Sequence, residues 1–160
     1  MKYRWCVLEH LVGDAQNVSH FDFLFENPAG GHSRSENSGG RLLAWAIVVP
    51  SWCLLPWTPP HDTGVATQLT DHRRIYLEYE GEIGPAPGDP LQRSRGHVRR
   101  MARGFFDMDT DLSILETPVD SYQFRMTTES APSGTWRLTL TPEPDARKSL
   151  RWRYRMEPVG

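Results

Sequence analysis

The feature that most constrains this chain is residues 20–26, which read HFDFLFE and carry a phenylalanine at every second position. Side chains alternate between the two faces of a β-strand, so the three phenylalanines must share one face. We predict that this face lies in the core. His20 and Asp22 share the opposite face, where an imidazole and a carboxylate on one rigid strand can hold a divalent cation. Leu24 lies on this polar face as well.

Similar short runs of branched and aromatic residues recur along the chain, separated by turns rich in glycine and proline. We predict strands at 3–10, 20–26, 41–49, 65–69, 71–80, 96–102, 104–108, 121–127, 135–141 and 150–156. A helical turn is predicted only at 109–116. Many short strands with such turns are typical of an all-β barrel or sandwich, and a closed barrel leaves no exposed sheet edge. We therefore predict one compact β-barrel domain over residues 1–160, with irregular loops at 27–40 and 51–62.

Composition excludes several classes of protein. The formal net charge of −2 does not indicate nucleic-acid binding by global charge. No apolar run approaches the roughly 20 residues of a membrane helix, and the N-terminus lacks a signal-peptide stretch, so we expect a cytoplasmic protein without a membrane partner. Cys6 and Cys53 are predicted to be reduced, buried thiols. Arginines cluster at 93–103 and 147–155, which suits either phosphate contacts or ordinary solvated faces.

Three predicted strands carry polar groups suited to metal-dependent chemistry. His10 ends the first strand, and His20 and Asp22 lie on the second. His72 and Tyr76 are four residues apart on a later strand, and so on one face. Two imidazoles and a carboxylate form a facial ligand set for Mn²⁺, Fe²⁺ or Zn²⁺, and a bound metal polarises a phosphoryl oxygen. His72 would donate a proton or bind phosphate, and Tyr76 would hold a phosphate or a water molecule.

Several stretches occur in the order and approximate spacing of a known family. They are VLEH at 7–10, HFDFLFE at 20–26, LAWA at 43–46, DHRRIYLEYEG at 71–81, GHV at 96–98 and GTWRL at 134–138. Together they resemble the N-terminal 3′-phosphoesterase domain of bacterial DNA ligase D and its small stand-alone relatives. The resemblance covers nearly the whole chain, and its specific parts are the His-x-Asp and Asp-His-x-x-x-Tyr elements.

The resemblance implies a compact β-barrel that holds a divalent metal, usually manganese, with zinc or another transition metal as the alternatives. It implies removal of a terminal ribonucleoside and then a 3′-phosphate from DNA or DNA/RNA 3′ ends in end repair, with a repair ligase or polymerase as partner. By matching position, His10, His20 and Asp22 would be the metal ligands. His72 and Tyr76 would contact the scissile phosphate and assist its transfer.

Two positions depart from that family. Its active members carry one arginine two residues after the ligand aspartate and another eight residues before the histidine of Asp-His-x-x-x-Tyr, where this chain has Leu24 and Gly64. Losing one such donor to a reacting phosphate typically costs about 10²–10³ in rate, so we expect reduced activity. Arg74 is predicted to share the strand face of His72 and Tyr76 and to supply part of the missing charge as a catalytic residue.

Three functions stay open on the sequence. The first is a metal-dependent phosphoesterase acting on nucleic-acid 3′ ends. The second is a non-catalytic nucleic-acid or phosphate-binding barrel, which the missing arginines favour. The third is an interaction domain in which the polar residues only satisfy one another, because a histidine on a strand is more often structural than a metal ligand. Metal content separates the third function from the others, and turnover separates the first from the second.

Overall fold

The structure, a computed structural model, describes residues 2–11, 18–27, 41–47, 63–70, 72–85, 87–108, 121–129, 134–145 and 150–160. The side chains of residues 18, 19, 41 and 108 are outside this description. Apart from residue 27, the loops predicted at 27–40 and 51–62 and the helical turn predicted at 109–116 fall outside it too, as does Cys53. Among the described residues, no helix is long and apolar enough to cross a membrane.

The described residues form ten strands and one 3₁₀ helix, Arg74–Leu77. In chain order the strands are β1 (Tyr3–Leu11), β2 (Val18–Glu26), β3 (Arg41–Ile47), β4 (Thr63–Gln68), β5 (His72–Arg73), β6 (Gly81–Glu82), β7 (His97–Met108), β8 (Tyr122–Thr128), β9 (Thr135–Pro142) and β10 (Arg151–Pro158). Antiparallel pairs run in the order β1–β2–β3–β4–β10–β9–β8–β7, and β7 pairs with β1. This pairing closes eight strands into a barrel, and the predicted all-β barrel is confirmed.

The barrel interior is filled by large apolar side chains, as the alternation in β2 predicts. Phe21, Phe23 and Phe25 are all buried there. Phe25 stacks on Phe124 of β8 with ring centroids 4.1 Å apart and meets Phe106 of β7 edge to face at 5.4 Å. Burying each such side chain stabilises the fold by about 1.5–3 kcal/mol. The interior is therefore a packed core, and the polar side chains of β2 face outward.

A second apolar cluster lies on the outer face of β1, β2 and β3. Leu24 is fully buried in it, opposite Cys6 and Ala44 in the strand register. Leu69, Tyr76, Tyr79 and Ile83 pack over this cluster, and Leu77 of the 3₁₀ helix is buried in it. Burial raises the pKa of the free Cys6 thiol to about 12. This cover explains why an apolar residue, Leu24, lies on the outward face of β2, because that part of the face is buried.

The prediction of a strand over residues 71–80 is wrong. Of the described residues in this segment, only His72 and Arg73 form a strand, and the chain then turns into the 3₁₀ helix. The helix buries Leu77 against the barrel and leaves Ile75 55% exposed. The apolar outer face of the barrel needs a cover, and a helical turn supplies it more compactly than a further strand.

The two strands predicted at 96–102 and 104–108 are the single strand β7. Gly104, which suggested a break, continues the pairing with both β1 and β8. A Cβ atom at Gly104 would collide with the backbone carbonyl of Thr127. This glycine therefore permits a close approach between two backbones and does not end the strand.

Candidate metal site and adjoining cavity

The register of β1 and β2 brings the three predicted metal ligands together. His10 lies opposite His20, and Leu8 lies opposite Asp22. Because alternate residues share a face, all three polar side chains project from the outer face of the barrel. The two imidazole rings meet edge to face with centroids 4.8 Å apart, and one ligand atom from each residue lies within 4.8 Å of the others. This group could hold a metal ion.

The distances between these ligand atoms resemble those of a coordination sphere. His10 Nδ1 lies 3.1 Å from His20 Nε2 and 3.5 Å from Asp22 Oδ2. His20 Nε2 lies 3.0 Å from Asp22 Oδ1. Two ligands about 2.1 Å from one metal are about 3.0 Å apart at right angles and about 3.4 Å apart in a tetrahedron. The two imidazole nitrogens are therefore spaced like two ligands of a transition metal, while the contacts to Asp22 use its two different carboxylate oxygens.

A backbone carbonyl orients the ring of His10. His10 Nε2 lies 2.9 Å from the carbonyl oxygen of Arg95, which can only accept, so this nitrogen carries the hydrogen. In the neutral ring, the lone pair of Nδ1 then faces His20 and Asp22. Histidines that bind metals typically donate their second ring nitrogen to such an acceptor, which fixes the tautomer. This contact therefore favours His10 as a ligand.

Asp22 is a buried carboxylate, only 3% exposed. Its Oδ1 receives no hydrogen bond of acceptable geometry from the described residues, although His20 Nε2 is 3.0 Å away. Burial is the largest influence and acts to raise the pKa of Asp22, but the rings of His10 and His20 outweigh it and lower the pKa. A buried anion with an unsatisfied oxygen is a position that a cation would fill.

The same contacts also describe the group without a metal. The contact with Asp22 chiefly raises the pKa of His10, burial opposes this, and the hydrogen bond to Arg95 adds to it. The imidazoles then compensate the carboxylate by themselves, as the interaction-domain interpretation requires. Metal binding by the wild-type protein separates the two interpretations.

A cavity of about 770 Å³ adjoins the group, within the size range of small-molecule sites. It lies between the outer face of the barrel and the covering residues 69–85. Its polar lining includes two imidazoles, two guanidinium groups and two carboxylates, from His10, His72, Arg73, Arg95, Asp22 and Glu82. Its apolar lining includes Leu8, Ile75, Tyr76, Ile83 and Pro85. A polar, charged wall beside an apolar one suits a ligand that carries both phosphate and an organic moiety.

His72 and Tyr76 both line this cavity, although not as neighbours on a strand. Their rings meet edge to face with centroids 5.7 Å apart. His72 Nδ1 lies 2.8 Å from the carbonyl oxygen of Thr70, so this nitrogen carries the hydrogen and Nε2 of the neutral ring keeps its lone pair. The structure thus places both residues at the same cavity as His10 and Asp22, through a local conformation that the sequence did not predict.

Arg74 does not lie where the predicted strand would place it. Its Nη2 is 2.7 Å from Oε1 of Glu26, which also binds Arg4 at 3.1 Å, and Arg74 is absent from the residues lining the cavity. In the 3₁₀ turn, Arg74 and His72 do not share a face. The prediction that Arg74 faces His72 and Tyr76 is therefore corrected: the residue ties the 3₁₀ helix to the barrel.

Two other arginines, Arg73 and Arg95, line the cavity, and sequence reasoning did not single them out. The guanidinium carbon of Arg73 lies 5.7 Å from the centroid of the Tyr76 ring. Arg95 Nε donates to the carbonyl oxygen of Gly84 at 2.8 Å. The arginine cluster at 93–103 was a signal for Arg95. The predicted strand pattern favoured Arg74 over Arg73, and Arg73 reaches the cavity because the chain enters the 3₁₀ turn.

No family model, no curated protein and no solved structure matches the chain in comparisons with known proteins. The functional interpretation therefore depends on the geometry described above. Its central observation is that His10, His20 and Asp22 converge beside a cavity that also exposes His72 and two arginines.

Proposed function

We propose that the protein is a metal-dependent phosphoesterase that acts on nucleic-acid 3′ ends, removing a 3′-phosphate or a 3′-ribonucleoside in DNA end repair. The observation that carries this proposal is the convergence of His10, His20 and Asp22 at the cavity lined by His72 and Tyr76. The His-x-Asp and Asp-His-x-x-x-Tyr motifs support it. We propose Mn²⁺ as the metal, with Zn²⁺ or another transition metal as the alternative, because two imidazoles and one carboxylate suit these ions.

Each cavity residue has a role in this proposal. A cation held by His10, His20 and Asp22 would polarise a phosphoryl oxygen and neutralise the charge that develops there. As water attacks the phosphorus and the bond to the leaving oxygen breaks, His72 protonated on both ring nitrogens would give one proton to that oxygen, and the proton of the attacking water would pass to solvent. The Tyr76 hydroxyl would hold a phosphate oxygen. His72 is suited to this role because the Thr70 carbonyl fixes its ring through Nδ1, so the proton transfer falls to Nε2.

Positive charge for the phosphate comes from Arg73 and Arg95, which take the role expected of Arg74. Both line the cavity, whereas Arg74 pairs with Glu26. A guanidinium presents several N–H donors in one plane and binds two phosphate oxygens at once. DNA or DNA/RNA 3′ ends are the proposed substrates, a repair ligase or polymerase is the proposed partner, and the cytoplasm is the proposed compartment.

A second candidate function is a nucleic-acid or phosphate-binding module without turnover. This function is favoured by the residues at the two positions where active members of the phosphoesterase family carry arginine. Leu24 is buried in an apolar cluster, and a Cβ atom at Gly64 would lie 2.6 Å from the ring of Tyr154. Both positions serve packing here, so neither can carry a phosphate-binding arginine without rearrangement.

Metal binding is the first test of the proposal. Mn²⁺ titration followed by electron paramagnetic resonance should show one site in the wild-type protein. Asp22→Asn should lower the Mn²⁺ affinity by more than about 100-fold, because replacing even a residue that only orients a metal ligand typically lowers the affinity 10–100-fold. Asp107→Asn, an exposed aspartate on β7, is the matched control and should bind as the wild type does. Equal affinity in wild type and Asp22→Asn would remove the metal site.

Turnover is the second test. Phosphate release from a 3′-phosphorylated primer–template with Mn²⁺ should fall about 10²–10⁴-fold in His72→Ala. Arg73→Ala and Arg74→Ala form a matched pair of adjacent arginines. Only Arg73→Ala should lower kcat/KM, since Arg74 lies outside the cavity. One Mn²⁺ site with no phosphate release from this substrate would favour the binding module.

A further inference from the structure

The wall formed by β4, β10 and β9 carries a second cavity, of about 350 Å³. In the closed order of strands, β10 lies four strands from β1, so this cavity and the candidate metal group are on opposite walls of the barrel. None of the residues lining it is acidic. Its polar lining consists of Thr63, Thr139, Thr141, Arg153 and Arg155.

The strand register places the two arginines between threonines. Arg153 lies opposite Thr141, and Arg155 lies opposite both Thr139 and Thr63. The side chains of Arg153 and Arg155 are 77% and 68% exposed. Short β-branched neighbours leave the guanidinium groups accessible and add hydroxyl donors beside them. The cavity is therefore lined on its polar side by hydrogen-bond donors.

Positive charge continues across the same wall. Arg151 precedes the pair on β10, and Arg125 of β8 lies directly opposite Arg137 of β9. Like charges opposite each other destabilise a sheet unless an anion compensates them. Arg137 Nη1 lies 3.5 Å from Glu157, a carboxylate that it shares with Arg155. An anion from outside would reduce the remaining repulsion between these two cross-strand arginines.

Carboxylates near these arginines do not cancel their charge. Glu143 lies 3.4 Å from Arg153, and Glu157 lies 2.9 Å from Arg155. Glu143 also contacts Arg151, and Glu157 also contacts Arg137. With Asp107 opposite Arg125, the described residues of this wall set three carboxylates against five arginines. Exposed ion pairs are worth only about 0–1 kcal/mol, so a phosphate can displace them.

We propose that this wall binds the phosphodiester backbone of a nucleic-acid strand. Arginine and threonine are common partners of backbone phosphates. Alternate residues of a strand are about 6.7 Å apart, so β10 presents a regular row of guanidinium groups to a regularly charged chain. These guanidinium groups contact phosphates and not bases, so binding is independent of the nucleotide sequence. This wall is a second surface for the nucleic acid of the proposed function, and its binding does not depend on the metal group.

The test is binding of a fluorescein-labelled 20-nucleotide single-stranded DNA to the full chain, followed by anisotropy in EDTA from 50 to 300 mM salt. The double variant Arg153→Gln/Arg155→Gln should bind at least about tenfold more weakly at 50 mM salt. The slope of log K against log salt should fall in magnitude by about 1.4, since each phosphate contact of a single strand contributes about 0.7. Both side chains are mainly exposed, so the fold should be retained, as circular dichroism will show.

The matched control is Arg93→Gln/Arg103→Gln, which changes the net charge equally at side chains that are 71% and 49% exposed. It should bind DNA within about twofold of the wild type. Equal losses in both double variants, or no loss in either, would overturn the proposal. So would Arg153- and Arg155-dependent binding to vesicles containing phosphatidylglycerol without binding to DNA. Mn²⁺ affinity of the Arg153/Arg155 variant should be unchanged, so this proposal and the metal site can fail separately.

Discussion

Replacing Leu24 tests whether its position belongs to an apolar cluster and not to a phosphate site. In the family that the sequence resembles, active members carry arginine there. In this chain Leu24 has no exposed surface, and it lies opposite Cys6 and Ala44 and is covered by Leu77. A charge at this position would be surrounded by apolar side chains.

The expected magnitudes follow from this burial. Leu24→Ala removes three carbon atoms, about 2.4 kcal/mol at about 0.8 kcal/mol each, and the remaining cavity brings the loss to about 3–4 kcal/mol. Leu24→Met conserves volume and should cost less than about 1.5 kcal/mol. An uncompensated buried charge costs several kcal/mol, comparable to the total stability of about 5–15 kcal/mol, so Leu24→Arg should largely unfold the protein.

Urea denaturation followed by tryptophan fluorescence measures these free energies of unfolding. Val65→Ala, at a position 43% exposed on the opposite wall, is the control and should cost less than about 0.5 kcal/mol. A loss below about 1 kcal/mol in Leu24→Ala, or wild-type stability in Leu24→Arg, would show that the cluster is not packed as described. The arginine would then be compatible with this barrel.

Three other substitutions give measurable changes in stability. For Cys6, the thiol pKa is 9.0 in its ordinary state and about 12 when folded, so the unfolded state loses its proton first as pH rises. Between pH 7 and pH 10, this thiol should therefore lower the free energy of unfolding by about 1.4 kcal/mol. Urea curves at the two pH values measure the effect in a Cys53→Ser variant, and adding Cys6→Ala should abolish the contribution of this thiol. Arg99→Ala removes the guanidinium that lies 2.7 Å from the Glu9 carboxylate, which is 3% exposed. The free energy of unfolding in urea should fall by about 3 kcal/mol, and a fall below about 1 kcal/mol would refute this. Gly104→Ala forces a methyl group against a backbone carbonyl and should cost at least about 2 kcal/mol, which an unchanged Tm would contradict.

The barrel was predictable because each strand has a recognisable pattern of alternating apolar residues within its own short segment. The alternation of Phe21, Phe23 and Phe25 defines a core face without knowledge of any partner strand, and all three are buried as predicted. The 3₁₀ helix was not predictable in this way. Residues 74–77 adopt it because the outer face of three distant strands needs a cover, and that requirement is invisible within the segment itself.

The candidate site was predictable as a set of residues but not as a geometry. His10, His20 and Asp22 meet because β1 and β2 pair in one register, which a pattern along the chain cannot specify. Sequence spacing also favoured the wrong arginine of two neighbours. The choice between Arg73 and Arg74 depends on one helical turn, and the orientation of His10 depends on a carbonyl 85 residues away.

The location of the cavity outside the barrel separates two demands that compete in many small proteins. Aromatic packing inside the closed sheet maintains the architecture, while residues 69–85 shape the adjoining chamber from without. Substitutions along that exterior segment can therefore change the shape of the cavity without opening a void in the centre. Such a scaffold is well suited to evolutionary diversification, because the cavity can change while the underlying framework stays constant.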